Sequence, residues 1–181
     1  MMWKTLPRYK TSNNIAYYRA GNGPTLLMIH GVGLRLESWA AQIQFLSKKF
    51  TVIAIDLPGH GESNSLSMRS SNLDSYVEEI RIFADEVIEG SCTVIGHSLG
   101  ALIALSYADQ YDQECDGIVA LNCIYQRTDE DMRQVQLRSK KLATKDMNQE
   151  IEATIKRWFG ENPTGYYLEL ANICRQWLLE S

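Results

Sequence analysis

Gly96-His97-Ser98-Leu99-Gly100 is the segment whose residue types and spacing most directly indicate chemistry. A serine between two glycines, after an apolar strand-like run and before a helical pattern, is typical of a nucleophile on a sharp strand-to-helix turn. Glycine at both flanking positions allows close backbone approach, and the start of a helix directs N–H groups toward developing negative charge. The segment therefore predicts that Ser98 is a nucleophile rather than a serine that only caps a helix.

A serine hydroxyl needs a general base, most often a histidine, to become an effective nucleophile. The three histidines of the chain, His30, His60 and His97, all precede Ser98. His97 is expected to point away from the pocket of the nucleophile, because neighbours on a tight turn cannot both face it. These residues alone therefore do not show which group would serve as the base of Ser98.

Strand-like and helix-like patterns alternate over residues 24–123. Three apolar, β-branched runs end in glycine-bearing turns and a fourth ends at Asn122 without a glycine: TLLMIHG, TVIAIDLPGHG, CTVIGHSLG and GIVALN. Such near-continuous apolar runs favour strands that are buried on both faces of a parallel sheet. Helical repeats lie between them, one of which has Asn72 as its candidate N-cap. The pattern predicts an α/β fold with a doubly wound, mostly parallel sheet and right-handed crossovers.

Four polar residues follow the ends of these predicted strands. They are His30, Asp56, Ser98 and Asn122. Because the carboxyl ends of parallel strands meet at one edge of a sheet, where open α/β sheets bind their ligands, we expect all four at that edge.

The two ends of the chain have a different pattern from its centre. NIAYYRAGNGP predicts a strand and a turn that form part of an antiparallel hairpin ahead of the core. From Gln126 to Ser181 only helical patterns occur, so residues 126–181 are predicted to form a helical cap segment over the carboxyl end of the sheet, with a plain helical extension as the alternative. Two apolar faces are expected there, one with Ile151, Ile155, Trp158 and Phe159, the other with Tyr167, Leu170, Ala171, Cys174 and Trp177.

Composition and charge limit the classes of partner. The 181 residues are 45% hydrophobic and 22% charged, as in ordinary globular proteins, and the formal net charge is −4. Without a long basic run, neither nucleic acid nor an anionic membrane surface is expected as a partner. The apolar runs are too short to span a bilayer and the first residues contain no apolar secretory core, which favours a cytoplasmic protein.

Cysteine usage gives no indication of a cofactor. Cys92, Cys115, Cys123 and Cys174 are widely spaced, without a CxxC pair or a Cys/His cluster. We therefore expect reduced, mostly buried thiols and neither a metal site nor any other cofactor.

Four motifs, in order along the chain, carry a resemblance to a known family: HGVGLRLESW at 30–39, DLPGHGES at 56–63, GHSLGA at 96–101 and the following run GIVALN. The sequence resembles the α/β-hydrolase superfamily, most closely its capped esterases, lactonases and perhydrolase-like members. The resemblance covers residues 15–125 well and the cap only loosely. A serine nucleophile argues against the epoxide hydrolases and haloalkane dehalogenases of this superfamily, which use aspartate.

The resemblance implies a role for several individual residues. Ser98 would be the acyl-accepting nucleophile, and the backbone N–H groups of Leu99 and Val32 would form the oxyanion hole. His30 would tie the oxyanion loop by hydrogen bonds. Asp56, His60 and Glu62 would be turn scaffolding, and Arg35 a solvated loop residue rather than a reader of substrate carboxylates.

The resemblance also implies that part of the family pattern lies beyond this sequence. In this fold the triad acid and histidine follow the serine, in that order. Asp129 or Asp131 is a conceivable acid, but TDEDMRQ is more typical of the acidic first turn of a helix. We therefore expect residues 1–125 to be the N-terminal part of a hydrolase core, and the C-terminal strands that carry the acid and the histidine to be absent. A truncated gene product or one half of a split enzyme would have this pattern.

These observations lead to one primary functional hypothesis and two alternatives. The primary hypothesis is a serine hydrolase of small-molecule carboxylic esters or lactones, with an acyl-enzyme on Ser98 and little or no activity as this chain alone. The alternatives are a non-catalytic, hydrolase-like protein that binds a small ligand, and half of a split enzyme that needs a partner chain. Unpaired sheet edges also predict self-association or the docking of a complementing C-terminal fragment.

Overall fold

The computed structural model describes residues 5–66, 72–124, 126–142 and 147–180. Its elements in chain order are β1 (Tyr9–Lys10), β2 (Ala16–Ala20), β3 (Thr25–Ile29), α1 (Ala40–Leu46), β4 (Thr51–Ile55), α2 (Leu73–Val87), β5 (Cys92–His97), α3 (Leu99–Gln110), β6 (Cys115–Leu121), α4 (Asp129–Leu142), α5 (Met147–Phe159) and α6 (Gly165–Leu179). A 3₁₀ helix, Leu36–Trp39, leads directly into α1.

The strands of the described residues form one sheet in the order β1-β2-β4-β3-β5-β6. β3, β4, β5 and β6 pair in parallel, whereas β1 and β2 form an antiparallel hairpin whose second strand pairs antiparallel with β4. The predicted fold class, a mostly parallel sheet flanked by helices, is confirmed, and so is the leading hairpin.

Alternate residues of the central strands enter two separate cores. In β3, Leu27 and Ile29 pack with α2 and α3 on one face of the sheet. Leu26 and Met28 pack on the other face, against the 3₁₀ helix and α1. Since both faces are covered, β3 and β4 are apolar after the threonine with which each begins. Full burial of a side chain of this size stabilises the fold by roughly 1.5–3 kcal/mol.

The helices that follow β4 and β5 are positioned by local sequence signals. Asn72 caps α2 as predicted, since its Oδ1 accepts the N–H of Ser75 at 2.9 Å. In α3 the buried face contains Gly100, Ala101 and Ala104, whose small side chains allow the helix axis to lie close to the sheet. Both helices therefore pack on the face of the sheet that contains the larger core.

β6 is the edge strand at one side of the sheet and pairs only with β5 among the described strands. Ile118, Val119 and Leu121 on this strand are 40–42% exposed. An edge of this kind presents unpaired backbone groups beside apolar side chains, which favours pairing with another strand.

The chain divides into two compact units, Met1–Cys123 and Ile124–Ser181. In the second unit α4 begins with the predicted acidic turn, which Thr128 caps: the N–H of Asp131 donates to Thr128 Oγ1 at 3.1 Å, and that hydroxyl donates to Asp131 Oδ2 at 2.7 Å.

The apolar faces predicted for α5 and α6 are only partly buried. Trp158 is 39% exposed and Tyr167 is 63% exposed. The predicted positions that are buried in these helices are Ile151, Ile155, Ala171, Cys174 and Trp177. None of the described helices combines the length and the apolar character that crossing a membrane requires.

Candidate active site

The four polar residues predicted at strand ends lie at the carboxyl edge of the parallel sheet. His30 follows β3, Asp56 follows β4, Ser98 follows β5 and Asn122 follows β6. These strands are neighbours in the order β4-β3-β5-β6, so the residues share one edge as predicted.

Ser98 lies on a sharp turn between β5 and α3. Its backbone has φ 54° and ψ −111°, a sparsely populated region that costs on the order of 1–3 kcal/mol for a residue with a side chain. The Ser98 N–H donates to the carbonyl of Leu121 at 2.9 Å, and its own carbonyl accepts the N–H groups of Ala101 and Leu102 at 3.1 and 3.2 Å. The predicted strained conformation is present, held by β6 on one side and by the first turn of α3 on the other.

The flanking glycines are required by close backbone approach. A Cβ on Gly96 would lie under 3.0 Å from the carbonyl of Gly100, and a Cβ on Gly100 would lie under 3.0 Å from the carbonyls of Ile29 and His30. Real Cβ atoms do not approach other atoms so closely, so neither site accepts alanine without backbone movement. The G-x-S-x-G spacing thus follows from the packing of α3 on β3 and β5.

The segment between β3 and the 3₁₀ helix, residues 30–35, is called here the β3–α1 loop. A Cβ on Gly31 would lie 3.2 Å from Ser98 Cβ and 3.0 Å from His97 Nδ1, so this loop packs directly against the serine turn. The Leu34 N–H donates to the carbonyl of Gly31 at 3.2 Å, which closes a tight turn around Val32.

The two residues whose amides were predicted as oxyanion donors each follow directly, in sequence, one member of the Gly31–Ser98 contact. Val32 follows Gly31 in the turn that packs on the serine, and its side chain is exposed. Leu99 is the first residue of α3. The first N–H groups of a helix have no partner within the helix, so the Leu99 amide is available to an acceptor outside it.

His30 is fully buried and acts as a tie between two loops. Its Nδ1 donates to the carbonyl of Gly31 at 2.7 Å, and its Nε2 accepts the N–H of Leu57 at 2.9 Å. Burial, reinforced by the nearby His60 ring, lowers the pKa of His30 to about 3, so the imidazole is neutral at physiological pH. The predicted structural role of His30 matches these contacts.

Asp56 and His60 shape the turn after β4. The buried Asp56 carboxylate accepts the N–H groups of Leu36 at 2.9 Å and Glu62 at 3.1 Å. His60 lies with Nδ1 3.1 Å from the carbonyl of Pro58, and burial lowers its pKa. Both residues therefore serve the turn, in agreement with the expected scaffolding role.

A buried ion-pair network beside this turn was not predicted from the sequence. The Arg8 guanidinium forks onto the Glu37 carboxylate, with Nη2 2.7 Å from Oε2 and Nη1 bonded to Oε1, and its Nε donates to Asp56 Oδ2 at 3.1 Å. The Arg8 and Glu37 side chains are each 4% exposed and that of Asp56 is fully buried. Burial disfavours the charged guanidinium, but the hydrogen bonds and charges of both carboxylates outweigh it and raise the pKa of Arg8.

His97 lies on the α1 side of the sheet beside a small cavity. The cavity has a volume of about 260 Å³ and is lined by Leu34, Ser38, Trp39, Gln42, His97 and Leu121. His97 Nε2 is 3.5 Å from Asn122 Nδ2, and burial lowers the pKa of His97. Within residues 5–66, 72–124, 126–142 and 147–180, no imidazole is hydrogen-bonded to the Ser98 hydroxyl.

Comparisons with known proteins identify the family of this chain. The family model described as alpha/beta hydrolase fold matches residues 24–170. (E)-2-((N-methylformamido)methylene)succinate hydrolase from Acinetobacter baylyi is 34% identical over 168 residues, which cover 90% of this chain and 60% of that protein. Pimeloyl-[acyl-carrier protein] methyl ester esterase from Nitrosomonas europaea is 34% identical over 112 residues, 60% of this chain and 42% of that protein.

A solved structure gives the same result for the fold. The enol-lactonase from Burkholderia xenovorans LB400 matches 95% of this chain and 67% of its own with a TM-score of 0.79, at 22% sequence identity. The chain thus spans about 60% or less of the length of the two relatives above. Together with the strained Ser98 turn, the family match over residues 24–170 establishes that the chain belongs to the α/β-hydrolase family.

Proposed function

We propose that this chain carries the nucleophile and the oxyanion hole of a serine hydrolase that acts on small carboxylic esters or lactones. The observation that carries the proposal is the backbone of Ser98, φ 54° and ψ −111°, at the point where β5 ends and α3 begins. Strain at a residue with a side chain persists only where the surrounding structure holds it, and it is concentrated at functional sites. The Gly31 turn packed against Ser98 supports the same conclusion.

The proposed reaction has two steps through an acyl-enzyme. Ser98 Oγ attacks the carbonyl carbon while a base takes the hydroxyl proton, and the negative charge that develops on the carbonyl oxygen is accepted by the N–H groups of Val32 and Leu99. The tetrahedral intermediate then collapses, and the alkoxide leaving group departs with that proton. Water attacks the Ser98 ester in the same way and releases the carboxylic acid.

We propose that none of the three histidines of the chain is the base in this mechanism. Both nitrogens of His30 are hydrogen-bonded within the fold, His60 lies with Nδ1 against the Pro58 carbonyl, and His97 faces the cavity beside α1. We therefore propose that a further segment or a partner chain supplies the base, and that this chain alone is weakly active or inactive. The greater length of the two relatives is consistent with such a segment.

The substrate class has a second candidate. The Acinetobacter relative, 34% identical over 90% of the chain, is named as a hydrolase of a substituted methylenesuccinate. A substrate of that kind would place a carbonyl carbon attached to nitrogen, rather than oxygen, at Ser98. A substrate panel that contains a short-chain ester, a lactone and an N-acylaminomethylene succinate separates these possibilities.

A non-catalytic protein that binds a small ligand remains the alternative from a different functional class. The observation that favours it is the absence of an imidazole on the Ser98 hydroxyl within the described residues. Such a protein would bind an ester without forming an adduct on Ser98.

Chemical rescue by imidazole tests the proposed function. Imidazole in solution can replace a missing base, so acylation of the wild-type chain by a chromogenic ester should rise with imidazole concentration above the background reaction in buffer. Ser98→Ala should show only that background. Equal rates for the wild-type chain and Ser98→Ala at every imidazole concentration would reject the nucleophile assignment, and ester binding without acylation would support the non-catalytic alternative.

A further inference from the structure

We propose that Arg8 is a positioning residue that holds the β3–α1 loop against the Ser98 turn. The inference rests on the proposed function, because the loop contains Val32, whose amide we assign to the oxyanion hole. It concerns a residue in the segment before β1, far from Ser98 in sequence.

Both ends of the β3–α1 loop are tied to the same turn. At the first end, His30 Nε2 accepts the N–H of Leu57 at 2.9 Å. At the second end, the N–H of Leu36 donates to Asp56 Oδ1 at 2.9 Å. Asp56 and Leu57 are consecutive residues, so the position of Val32 depends on how firmly each end of the loop is attached to this one point.

Arg8 controls the second attachment because it lies between two buried carboxylates. Glu37 is the residue after Leu36, and its carboxylate accepts hydrogen bonds from both terminal nitrogens of Arg8. Asp56 accepts the hydrogen bond of Arg8 Nε at 3.1 Å. Without the guanidinium, Glu37 and Asp56 would be two buried negative charges with no shared counter-charge, and like charges in such a site repel. The 3₁₀ helix that contains Leu36 and Glu37 would then move away from Asp56, and the end of the loop would move with it.

The segment before β1 is built around this guanidinium. Arg8 Nη1 donates to the carbonyl of Leu6 at 2.7 Å, and the Leu6 N–H donates to Glu37 Oε1 at 3.0 Å. Leu6 and Arg8 therefore both donate hydrogen bonds to Glu37, and Arg8 also donates one to Asp56. None of the hydrogen bonds of this network involves Val32, so Arg8 acts on the amide through the loop.

Two conservative variants remove the fork without removing the side-chain volume. Arg8→Lys keeps the positive charge but cannot bond two carboxylates with a planar fork, and Glu37→Gln removes one charge from the network. Arg175→Lys is the matched control, since Arg175 makes the same kind of fork on Glu152, with Nε 2.5 Å and Nη2 3.1 Å from its two oxygens, in the second unit of the chain. Should Arg8→Lys fail to fold, Glu37→Gln alone serves as the test.

The test combines two measurements on the full chain. Amide hydrogen exchange of Leu36 reports the loop attachment, with Ile53 in the core of β4 as the internal reference. The rate of phosphonylation of Ser98 by a fluorophosphonate, measured with imidazole in solution to supply the base, reports the oxyanion hole. In Arg8→Lys and Glu37→Gln we expect Leu36 to exchange at least about tenfold faster while Ile53 is unchanged. We expect Ser98 phosphonylation to fall by about 100-fold, and Arg175→Lys to change neither rate.

Several results would overturn the inference. Equal acceleration of Leu36 and Ile53 would show that Arg8 only stabilises the whole fold. Unchanged exchange at Leu36, or faster exchange at Leu36 with an unchanged rate of phosphonylation, would remove Arg8 from the positioning of the loop. A folded wild-type chain that forms no adduct at Ser98 would reject the proposed function instead, and the exchange of Leu36 would then decide the attachment of the loop by itself.

Discussion

The N–H of Leu57 donates to Nε2 of His30 across 2.9 Å, while Nδ1 of the same imidazole donates to the Gly31 carbonyl at 2.7 Å. The two contacts fix the tautomer with the proton on Nδ1, and they leave no lone pair on the ring for the proton of Ser98. His30 is thus a support of the β3–α1 loop, which is why its presence in the chain does not supply the base that Ser98 needs.

The first prediction concerns the ionisation of His30. Its pKa of about 3 means that the ring stays neutral far below the ordinary value of 6.5. In a ¹H–¹³C NMR titration the His30 resonances should not shift between about pH 8 and about pH 5. A titration midpoint near the ordinary value would show that the ring is solvated and that the Leu57 bond is not maintained.

The same shift predicts how stability depends on pH. Below pH 6.5 the unfolded chain binds a proton at His30 that the native state excludes until about pH 3, so acidification favours unfolding across that window. Burial lowers the pKa of His60 and of His97 as well, which adds to the effect in the same direction. The free energy of unfolding, measured with denaturant, should be constant above about pH 6.5. Between that pH and about pH 3, each histidine with a lowered pKa should reduce it by up to about 1.4 kcal/mol for every pH unit of acidification. In His30→Gln the slope should be smaller.

The second prediction concerns Gly100, where α3 approaches β3. Gly100→Ala places a methyl group against the carbonyls of Ile29 and His30, so it should lower the free energy of unfolding by at least about 1–3 kcal/mol in urea or guanidinium titrations. Gly117→Ala is the control, because the nearest atom to a Cβ there is 3.7 Å away, an ordinary contact. Equal stability of the two variants would contradict the close packing of α3 on the sheet.

The sequence predicted the site where its signals are local. Ser98 lies between two glycines at the junction of a strand pattern and a helix pattern, so its position and its strained backbone both followed from neighbouring residues. The strand ends at His30, Asp56 and Asn122 were also predicted from neighbouring residues, because a continuous apolar run indicates a strand that is buried on both faces of a sheet.

The Arg8–Glu37–Asp56 network could not be predicted because its signals are not local. Its members are separated by 29 and 48 residues along the chain, and an ion pair leaves no periodic pattern in a sequence. Arg8 also lies in an exposed-looking stretch, PRYK, where a basic residue is expected to be solvated.

The third prediction concerns the open edge of the sheet. β6 pairs only with β5 among the described strands and exposes apolar side chains, so the chain should self-associate in a concentration-dependent way by light scattering. Val119→Lys should weaken this association, because a charge on an edge strand opposes pairing with another strand. Ile82→Lys on α2 adds the same charge at a residue of matched exposure, 40% against 41%, and should have little effect. A wild-type chain that stays monomeric at all concentrations would contradict the prediction.

The fourth prediction concerns turnover by this chain alone. Loss of a triad member costs roughly four to six orders of magnitude in the serine proteases studied. Hydrolysis of a short-chain chromogenic ester should therefore barely exceed the rate of Ser98→Ala. Robust turnover that disappears in Ser98→Ala would show that one of the three histidines does act as the base.

The assignment of Ser98 as the nucleophile is tested most directly by mapping where a fluorophosphonate reacts with the folded chain. Peptide mass spectrometry should find the adduct on Ser98, and it should be absent in Ser98→Ala. Because solvent hydroxide has to act in place of an imidazole, the labelling rate should rise steadily with pH instead of levelling off near the pKa of a histidine. An adduct on other residues, or a folded chain with no adduct on Ser98, would contradict the assignment.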